Sequence, residues 1–157
     1  MIIVSSFSEK QVGVMGLGRS GLAAARALVA GGALVSAWDD DEKQREKAKL
    51  AGIELTNLYE SDWSKIDSLV LSPGISDQFP EPHELAKCAK DAGCEIICDV
   101  DLLAREVTQS SFIGVSGTNG KSTTTALIGH ILQESLRVVE IGGNFGIPAL
   151  ELSSLGN

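Results

Sequence analysis

A glycine motif between an apolar segment and an alanine-rich segment constrains the fold of this 157-residue chain more than any other feature. Residues 11–15 predict a short buried strand, and the sequence GLGRSG follows at once at residues 16–21. The alanine-rich segment after it predicts a helix to Ala30, ended by the glycine pair at 31–32. In this setting the glycines permit a tight turn, the approach of a phosphate to the backbone, and close packing of helix on strand. The chain is therefore predicted to open with a βαβ unit.

The same alternation of strands and helices continues along the chain. Further strands are predicted at residues 33–38, 53–55, 68–71 and 95–98, and further helices at residues 42–51, 81–92 and 99–107. The strand at 68–71 ends in the turn SPGI at residues 72–75, and parallel sheets bind ligands in loops at the carboxyl ends of their strands. The fold predicted for residues 1–108 is an α/β domain with a Rossmann-like parallel sheet.

After a polar break at residues 108–111, the pattern starts again. A strand is predicted at 112–116, a glycine-rich loop follows, and then come a helix at 122–132 and a strand at 137–141. A parallel sheet needs more than two strands to bury both of its faces. Residues 109–157 are therefore predicted to be the beginning of a P-loop ATPase-type α/β domain, incomplete in this sequence.

The glycine-rich loop of this second unit carries phosphate-binding features. The strict P-loop pattern GxxxxGK[ST] requires glycine at position 115, where this chain has Val115. The physical elements nevertheless remain: glycines that allow amides to face a phosphate, Lys121 as a point charge, hydroxyls for Mg²⁺, and a helix dipole behind them. We expect a phosphate-binding loop here.

Composition excludes several classes of function. Thirteen Lys and Arg residues against 21 Asp and Glu residues give a net charge of −8, so the chain has no uniform positive field to attract nucleic acid. No apolar segment reaches the roughly 18 residues that a membrane-spanning helix needs, and no signal peptide is evident. We therefore expect neither a nucleic-acid nor a membrane partner, and a cytoplasmic location. Cys88, Cys94 and Cys98 form no CxxC pair and are expected to be buried or unreactive thiols.

Other polar residues give weaker signals. Asp39 lies 18 residues after Gly21, near the end of the second predicted strand, where a carboxylate can accept hydrogen bonds from ligand hydroxyls. His83 and His130 are each expected to be surface or packing residues. On the residues alone, two alternatives to an ATP-dependent enzyme stay open: an NAD-dependent oxidoreductase or nucleotide-sensing domain, and a binding module without catalysis.

Four motifs together resemble the Mur ligase family, the ATP-dependent amide-bond-forming enzymes of peptidoglycan precursor synthesis. They are GLGRSG at 16–21, SPGI at 72–75, GTNGKST at 117–123 and GGNFG at 142–146, in this order. Within the family, the pattern is most similar to the member that adds D-glutamate. The resemblance implies that the N-terminal domain binds the UDP portion of the substrate, and that the first glycine motif serves a UDP-sugar rather than a dinucleotide.

The resemblance also implies roles for individual residues. The ATP loop falls on Gly117, Thr118, Asn119, Gly120, Lys121, Ser122, Thr123 and Thr124. In it, Lys121 is the implied catalytic residue, on the β- and γ-phosphates, and Ser122 is the implied Mg²⁺ ligand. The implied contacts to the UDP-substrate are Leu17, Arg19, Ser20, Asp39, Asp40, Gly74 and Asn144. Some members of the family have arginine where this chain has Asp41.

The implied reaction uses ATP to activate the terminal carboxylate of UDP-N-acetylmuramoyl-L-alanine as an acyl phosphate, which the amine of D-glutamate then attacks. Such phosphoryl transfer depends on positioning and charge stabilisation. An incomplete ATPase domain cannot preorganise metals and an amino-acid nucleophile, so the chain alone is expected to lack ligase activity. No oligomeric state is predicted.

Overall fold

The centre of the fold is a four-stranded parallel sheet in the order β2-β1-β3-β4. The structure is a computed structural model that describes residues 1–153. The strands are β1 (Gln11–Met15), β2 (Leu34–Trp38), β3 (Ser68–Leu71) and β4 (Glu95–Ile97). Because β1 is central and the chain moves to one side of it for β2 and to the other for β3, the carboxyl end of β1 is a topological switch point.

Helices connect the strands, as the sequence predicts for a Rossmann-like fold, and this fold class is confirmed. The helices are α1 (Arg19–Ala30), α2 (Glu42–Leu50), α3 (Glu84–Asp91), α4 (Asp99–Glu106) and α5 (Lys121–Glu134). Short 3-10 segments occupy Leu58–Glu60, Trp63–Lys65 and Ala149–Glu151. Helix α3 begins three residues later than predicted, because Pro82 precedes the N-cap residue His83, whose side chain accepts the N–H of Leu85.

Hydrophobic residues cover both faces of the sheet. Val12 and Val14 of β1 belong to one apolar cluster, together with buried residues of α1 and α4. Met15 belongs to a second cluster, with Leu69 of β3 and Leu85 of α3. Alternate residues of a strand point to opposite faces, so the two clusters form the layers of a three-layer α/β domain.

The two ends of the described chain meet on the first of these clusters. Ala149, Leu150 and Leu152 are buried in it, beside Ile2 and Val4. The backbone N–H of Ile2 donates to the carbonyl of Leu150 at 2.7 Å. Residues 149–152 therefore pack with the four-stranded sheet and its helices α1 to α4, which we call the first unit, although they follow the P-loop in sequence.

Three predicted strands were wrong. Residues 53–55 contribute only a single bridge, between Leu55 and Ala37. Residues 112–116 and 137–141 form no strand, and Phe112, Ile113 and Val138 are exposed. A strand is defined by the ladder it shares with a neighbour, and within residues 1–153 neither segment has one. The domain boundary at 108–109 stays a prediction, and residues 154–157 of the predicted second domain lie outside the described residues.

Candidate functional site

The loop at residues 16–21 is fixed to the strands on both sides of β1. Gly16, with φ of 86°, donates its N–H to the carbonyl of Trp38 at 2.9 Å and accepts the hydroxyl of Ser72 at 2.7 Å. A Cβ on Gly21 would lie 1.8 Å from the carbonyl oxygen of Gly16, so only glycine fits there. The loop is thus a rigid bend whose backbone borders the switch point.

Asp39 holds this loop from the side of β2. One carboxylate oxygen accepts the N–H of Leu17 at 2.5 Å, and the other accepts the N–H of Asp41 at 2.8 Å. The sequence predicts Asp39 as a ligand contact, whereas in the structure both of its oxygens bind backbone. The Leu17 side chain is buried in the core, so Leu17 can reach a ligand only through its backbone.

Helix α1 begins at the rim of a cavity of about 490 Å³. Its N-cap is Gly18, which has no side chain, so no cap satisfies the first N–H groups of the helix. Helix N-termini with free N–H groups favour anions. The lining residues are Gly18, Arg19, Ser20, Ser72, Pro73, Asn144, Phe145 and Gly146. The structure therefore brings together the predicted contacts Arg19, Ser20 and Asn144.

The loop at residues 142–147 closes one side of this cavity. The Arg19 guanidinium donates to the carbonyl of Gly146 at 2.7 Å. Gly143 donates its N–H to the carbonyl of Ile147 at 2.8 Å, which makes the loop a compact turn. A predicted motif of the second unit thus lies against the glycine motif of the first.

A second cavity of about 440 Å³ continues towards the end of β2. Gly18, Ser72 and Pro73 line both cavities, so the two meet at the N-terminus of α1. The predicted contacts Asp39, Asp40 and Gly74 line this second cavity, as do Ile75 and His83. The two cavities together form an elongated cleft, which we call the switch-point cleft.

Two aromatic side chains flank Asp40 at the far end of the cleft. The Tyr59 hydroxyl donates to both carboxylate oxygens of Asp40, at 3.1 and 3.3 Å. Nε2 of His83 lies 3.6 Å from one of these oxygens. Burial, the hydrogen bond to Asp40 and the charges of Asp40 and Glu84 together raise the pKa of Tyr59 to about 12, so the phenol stays a donor.

The sequence did not reveal this cluster. His83 was expected to be a surface or packing residue, and Tyr59 carried no motif. The two residues are separated by more than twenty positions and lie in different loops, so no spacing rule could connect them.

The predicted ATP loop forms a separate feature in front of α5. The Lys121 ammonium points back into the loop and donates to the carbonyls of Gly117 and Thr118. Gly120, with φ of 77°, is the N-cap and gives no side-chain cap, so the first N–H groups of α5 are available. An ammonium and free helix N–H groups fit a phosphate. Residues 117–124 do not line either cavity of the switch-point cleft.

A resident metal site built from protein ligands alone does not occur in residues 1–153, where no three His, Cys, Asp or Glu side chains cluster suitably. Ser122 at the start of α5 is a hydroxyl of the type that P-loops offer to Mg²⁺ beside phosphate oxygens. The donor set thus fits Mg²⁺ carried with a nucleotide. The three cysteines are free, and burial together with the charges of Asp67 and Glu95 raises the pKa of Cys94 to about 11.

The family model described as "Mur ligase MurD-like, N-terminal domain" matches residues 10–98. The match covers β1 to β4 and therefore the cleft residues that follow these strands, but not the loop at 142–147. This chain belongs to the MurD-like Mur ligases. The match includes two of the four motifs, and with the relatives described next it confirms the resemblance to the Mur ligase family.

Curated Mur ligases extend the match over nearly the whole chain. The UDP-N-acetylmuramoylalanine–D-glutamate ligase of Phenylobacterium zucineum is 49% identical over 161 residues, which cover 99% of this chain and 34% of that protein. The ligase of the same name from Agrobacterium fabrum is 50% identical over 156 residues, covering 97% of this chain and 33% of that protein. The one from Rhodospirillum rubrum is 44% identical over 160 residues, covering 99% and 34%. The chain thus spans about a third of the length of these relatives.

Among the helices of residues 1–153, none combines the length and the apolar character needed to cross a bilayer. The longest, α5, has 14 residues.

Proposed function

We propose that this chain forms the uridine-nucleotide-binding portion and the ATP loop of a ligase that adds D-glutamate to UDP-N-acetylmuramoyl-L-alanine. The observation that carries the proposal is the switch-point cleft, whose lining includes six of the seven predicted substrate contacts. The names of the Mur ligase relatives support the choice of substrate. The sequence-based expectations of a cytoplasmic location and no nucleic-acid partner belong to this proposal.

The cleft suggests how such a substrate lies. Its diphosphate occupies the point where the two cavities meet, against the N-terminus of α1, with Arg19 and Ser20 as cation and hydroxyl donor. The nucleoside extends towards Asp40 and Gly74, and the sugar extends towards Asn144. Each end of the substrate therefore meets a different loop, the nucleoside the loops after β2 and β3 and the sugar the loop at 142–147.

The ATP loop serves the activation of the substrate carboxylate. ATP with Mg²⁺ supplies the phosphoryl group when bound. Lys121 is held at the loop carbonyls, from which its ammonium can turn to the β- and γ-phosphates, and Ser122 offers its hydroxyl to the metal. The role of these residues is to position charge rather than to form covalent bonds.

Titration calorimetry of the 157-residue chain with UDP, UDP-N-acetylmuramoyl-L-alanine and NAD⁺ tests the substrate assignment. Both uridine ligands are expected to bind and NAD⁺ is not. Arg19→Gln removes a charge-assisted hydrogen bond and should weaken UDP binding about tenfold or more. Arg26→Gln, an exposed arginine on the same helix, should have no effect. Binding of NAD⁺ with no binding of uridine ligands would contradict the proposal and favour an oxidoreductase.

The ligase step is tested separately, by phosphate release with ATP, UDP-N-acetylmuramoyl-L-alanine and D-glutamate. This chain alone should give no turnover. Residues 112–153 contain no β-strand, so the ATP loop has no sheet to hold it in a catalytic position. Amide formation by the chain alone would show that it is a complete enzyme, contrary to our expectation.

A further inference from the structure

The contact between Asp40 and His83 joins the two sides of the switch-point cleft. Asp40 follows β2, and His83 lies in the connection that follows β3, whereas β1 and its glycine loop lie between these strands. The 3.6 Å separation of His83 Nε2 and the Asp40 carboxylate therefore lies across the end of β1. Both residues line the cavity of about 440 Å³. Asp40 is thus held at the end of the cleft from two directions.

Asp40 and Asp39 are neighbours with different surroundings. Both oxygens of Asp39 accept backbone N–H groups of the loop that it supports. The Asp40 carboxylate accepts a hydrogen bond only from the hydroxyl of Tyr59 among residues 1–153, and the side chain is 57% exposed. A carboxylate can accept about four hydrogen bonds, so Asp40 keeps acceptor capacity for a ligand.

His83 has a defined orientation. Its Nδ1 accepts the N–H of Leu85 at 3.3 Å as the N-cap of α3. The neutral imidazole therefore carries its proton on Nε2, the nitrogen that faces Asp40, and a protonated imidazole carries one there as well. In both states the nitrogen that carries an N–H lies 3.6 Å from the carboxylate, a close polar contact slightly longer than a hydrogen bond.

We propose that Tyr59 and His83 are positioning residues, which hold the Asp40 carboxylate towards the cleft as the acceptor for the imide N–H of a uracil base. This inference rests on the proposed binding of a uridine diphosphate. With the diphosphate at the N-terminus of α1, the nucleoside lies in the cavity that ends at Asp40. Uracil presents an N3–H donor to an acceptor there, whereas cytosine presents a lone pair at N3.

This arrangement predicts discrimination between two ligands that differ only in the base. UDP and CDP share ribose and diphosphate, so the ratio of their dissociation constants isolates the contact to the base. A site built around a hydrogen bond rejects the analogue that cannot form it. The wild-type chain should bind UDP at least tenfold more tightly than CDP, which corresponds to about 1.4 kcal/mol.

Substitutions then separate the two positioning residues. Tyr59→Phe removes only the hydroxyl and should lower the UDP preference about fivefold, the effect of one hydrogen bond. His83→Asn keeps an oxygen that can cap α3 but is too short to reach Asp40, and should lower the preference as well. His83→Gln has the opposite properties. Its amide keeps a donor near the Nε2 position, but it is a poorer cap for α3. It should restore the preference if the donor matters.

Asp91→Asn provides the control, an exposed carboxylate at the end of α3. It should leave both dissociation constants unchanged. If Tyr59→Phe and His83→Asn weaken UDP and CDP equally, or change neither, the positioning role is wrong while the uridine site stands. If the wild-type chain binds no uridine ligand, the proposed function fails and this inference fails with it.

Discussion

Gly21 and Gly18 belong to the same motif, yet their surroundings differ. A Cβ at Gly21 would lie 1.8 Å from the Gly16 carbonyl oxygen and 2.3 Å from the hydroxyl of Ser72, whereas a Cβ at Gly18 would meet nothing within 4 Å. The backbone carbonyl cannot move without opening the loop. Gly21→Ala should therefore lower the free energy of unfolding by about 2 to 3 kcal/mol, as overpacking does. Urea unfolding measures this change.

Gly18→Ala is the matched control. Its φ of −63° and ψ of −168° suit alanine, so only the N-cap preference for glycine over alanine is lost, and the free energy of unfolding should fall by about 0.5 to 1 kcal/mol, less than for Gly21→Ala. The new methyl group would enter the switch-point cleft, and UDP binding should weaken. Equal stability of Gly21→Ala and the wild type would show that the close approach at residue 21 is not a constraint.

The glycine motif and the acidic residues after β2 show how far the sequence could predict the site. The motif predicted the glycine loop that borders the cleft, because glycines at this spacing between a strand and a helix have a local geometric reason. The sequence could not distinguish the roles of Asp39 and Asp40, since these depend on which backbone N–H groups the loop turns towards the carboxylates. Tyr59 was missed because its partner is brought to it by folding.

Helix α4 fixes the N-terminal segment through its last residue. The Glu106 carboxylate accepts the hydroxyl of Ser5 at 3.0 Å and the N–H of Ser6 at 2.8 Å. Burial raises the pKa of Glu106, but the hydrogen bonds from Ser6 and Ser5 outweigh it, and the pKa is lowered. A lowered pKa means that the contribution of this group to stability is complete above the unfolded pKa of about 4.3 and is lost as the pH falls through the folded pKa.

Glu106→Gln should therefore destabilise the chain at neutral pH, and the difference from the wild type should shrink in acid. Urea unfolding at about pH 7 and about pH 3, on either side of the carboxyl pKa, measures it. Glu46→Gln changes an exposed glutamate on α2 whose side chain makes no hydrogen bond within residues 1–153, and should show no such difference. A difference for Glu106→Gln that is the same at both pH values would rule out this carboxylate as the cause.

The predicted elements that failed share one property. The strands of the main sheet were predicted because apolar runs, glycine stops and helices agreed along one continuous stretch. Residues 112–116 and 137–141 have the same local pattern, but a strand requires a neighbour to form a ladder, and local pattern carries no information on that. Helix α5 formed as predicted because the hydrogen bonds of a helix are internal.

Across the whole molecule, the P-loop helix and the switch-point cleft are connected by direct contacts. A Cβ on Gly129 of α5 would lie 2.1 Å from the side chain of Ile141, so the helix packs closely on the segment that leads to the loop at 142–147. That loop accepts the Arg19 guanidinium at Gly146. Residues 149–152 then enter the core of the first unit. The chain after the P-loop therefore returns to the first unit at two points.

The burial of residues 149–152 in the core predicts an effect on the stability of the whole chain. Leu150 is completely buried beside α1 and α4, and its carbonyl accepts the N–H of Ile2. Leu150→Ala should lower the free energy of unfolding by about 2 to 5 kcal/mol, the usual cost of a leucine-to-alanine cavity. Leu50→Ala, at a position 89% exposed, should have almost no effect. If both variants unfold at the wild-type urea midpoint, residues 149–152 are not part of the core, and the first unit folds independently of the chain that follows it.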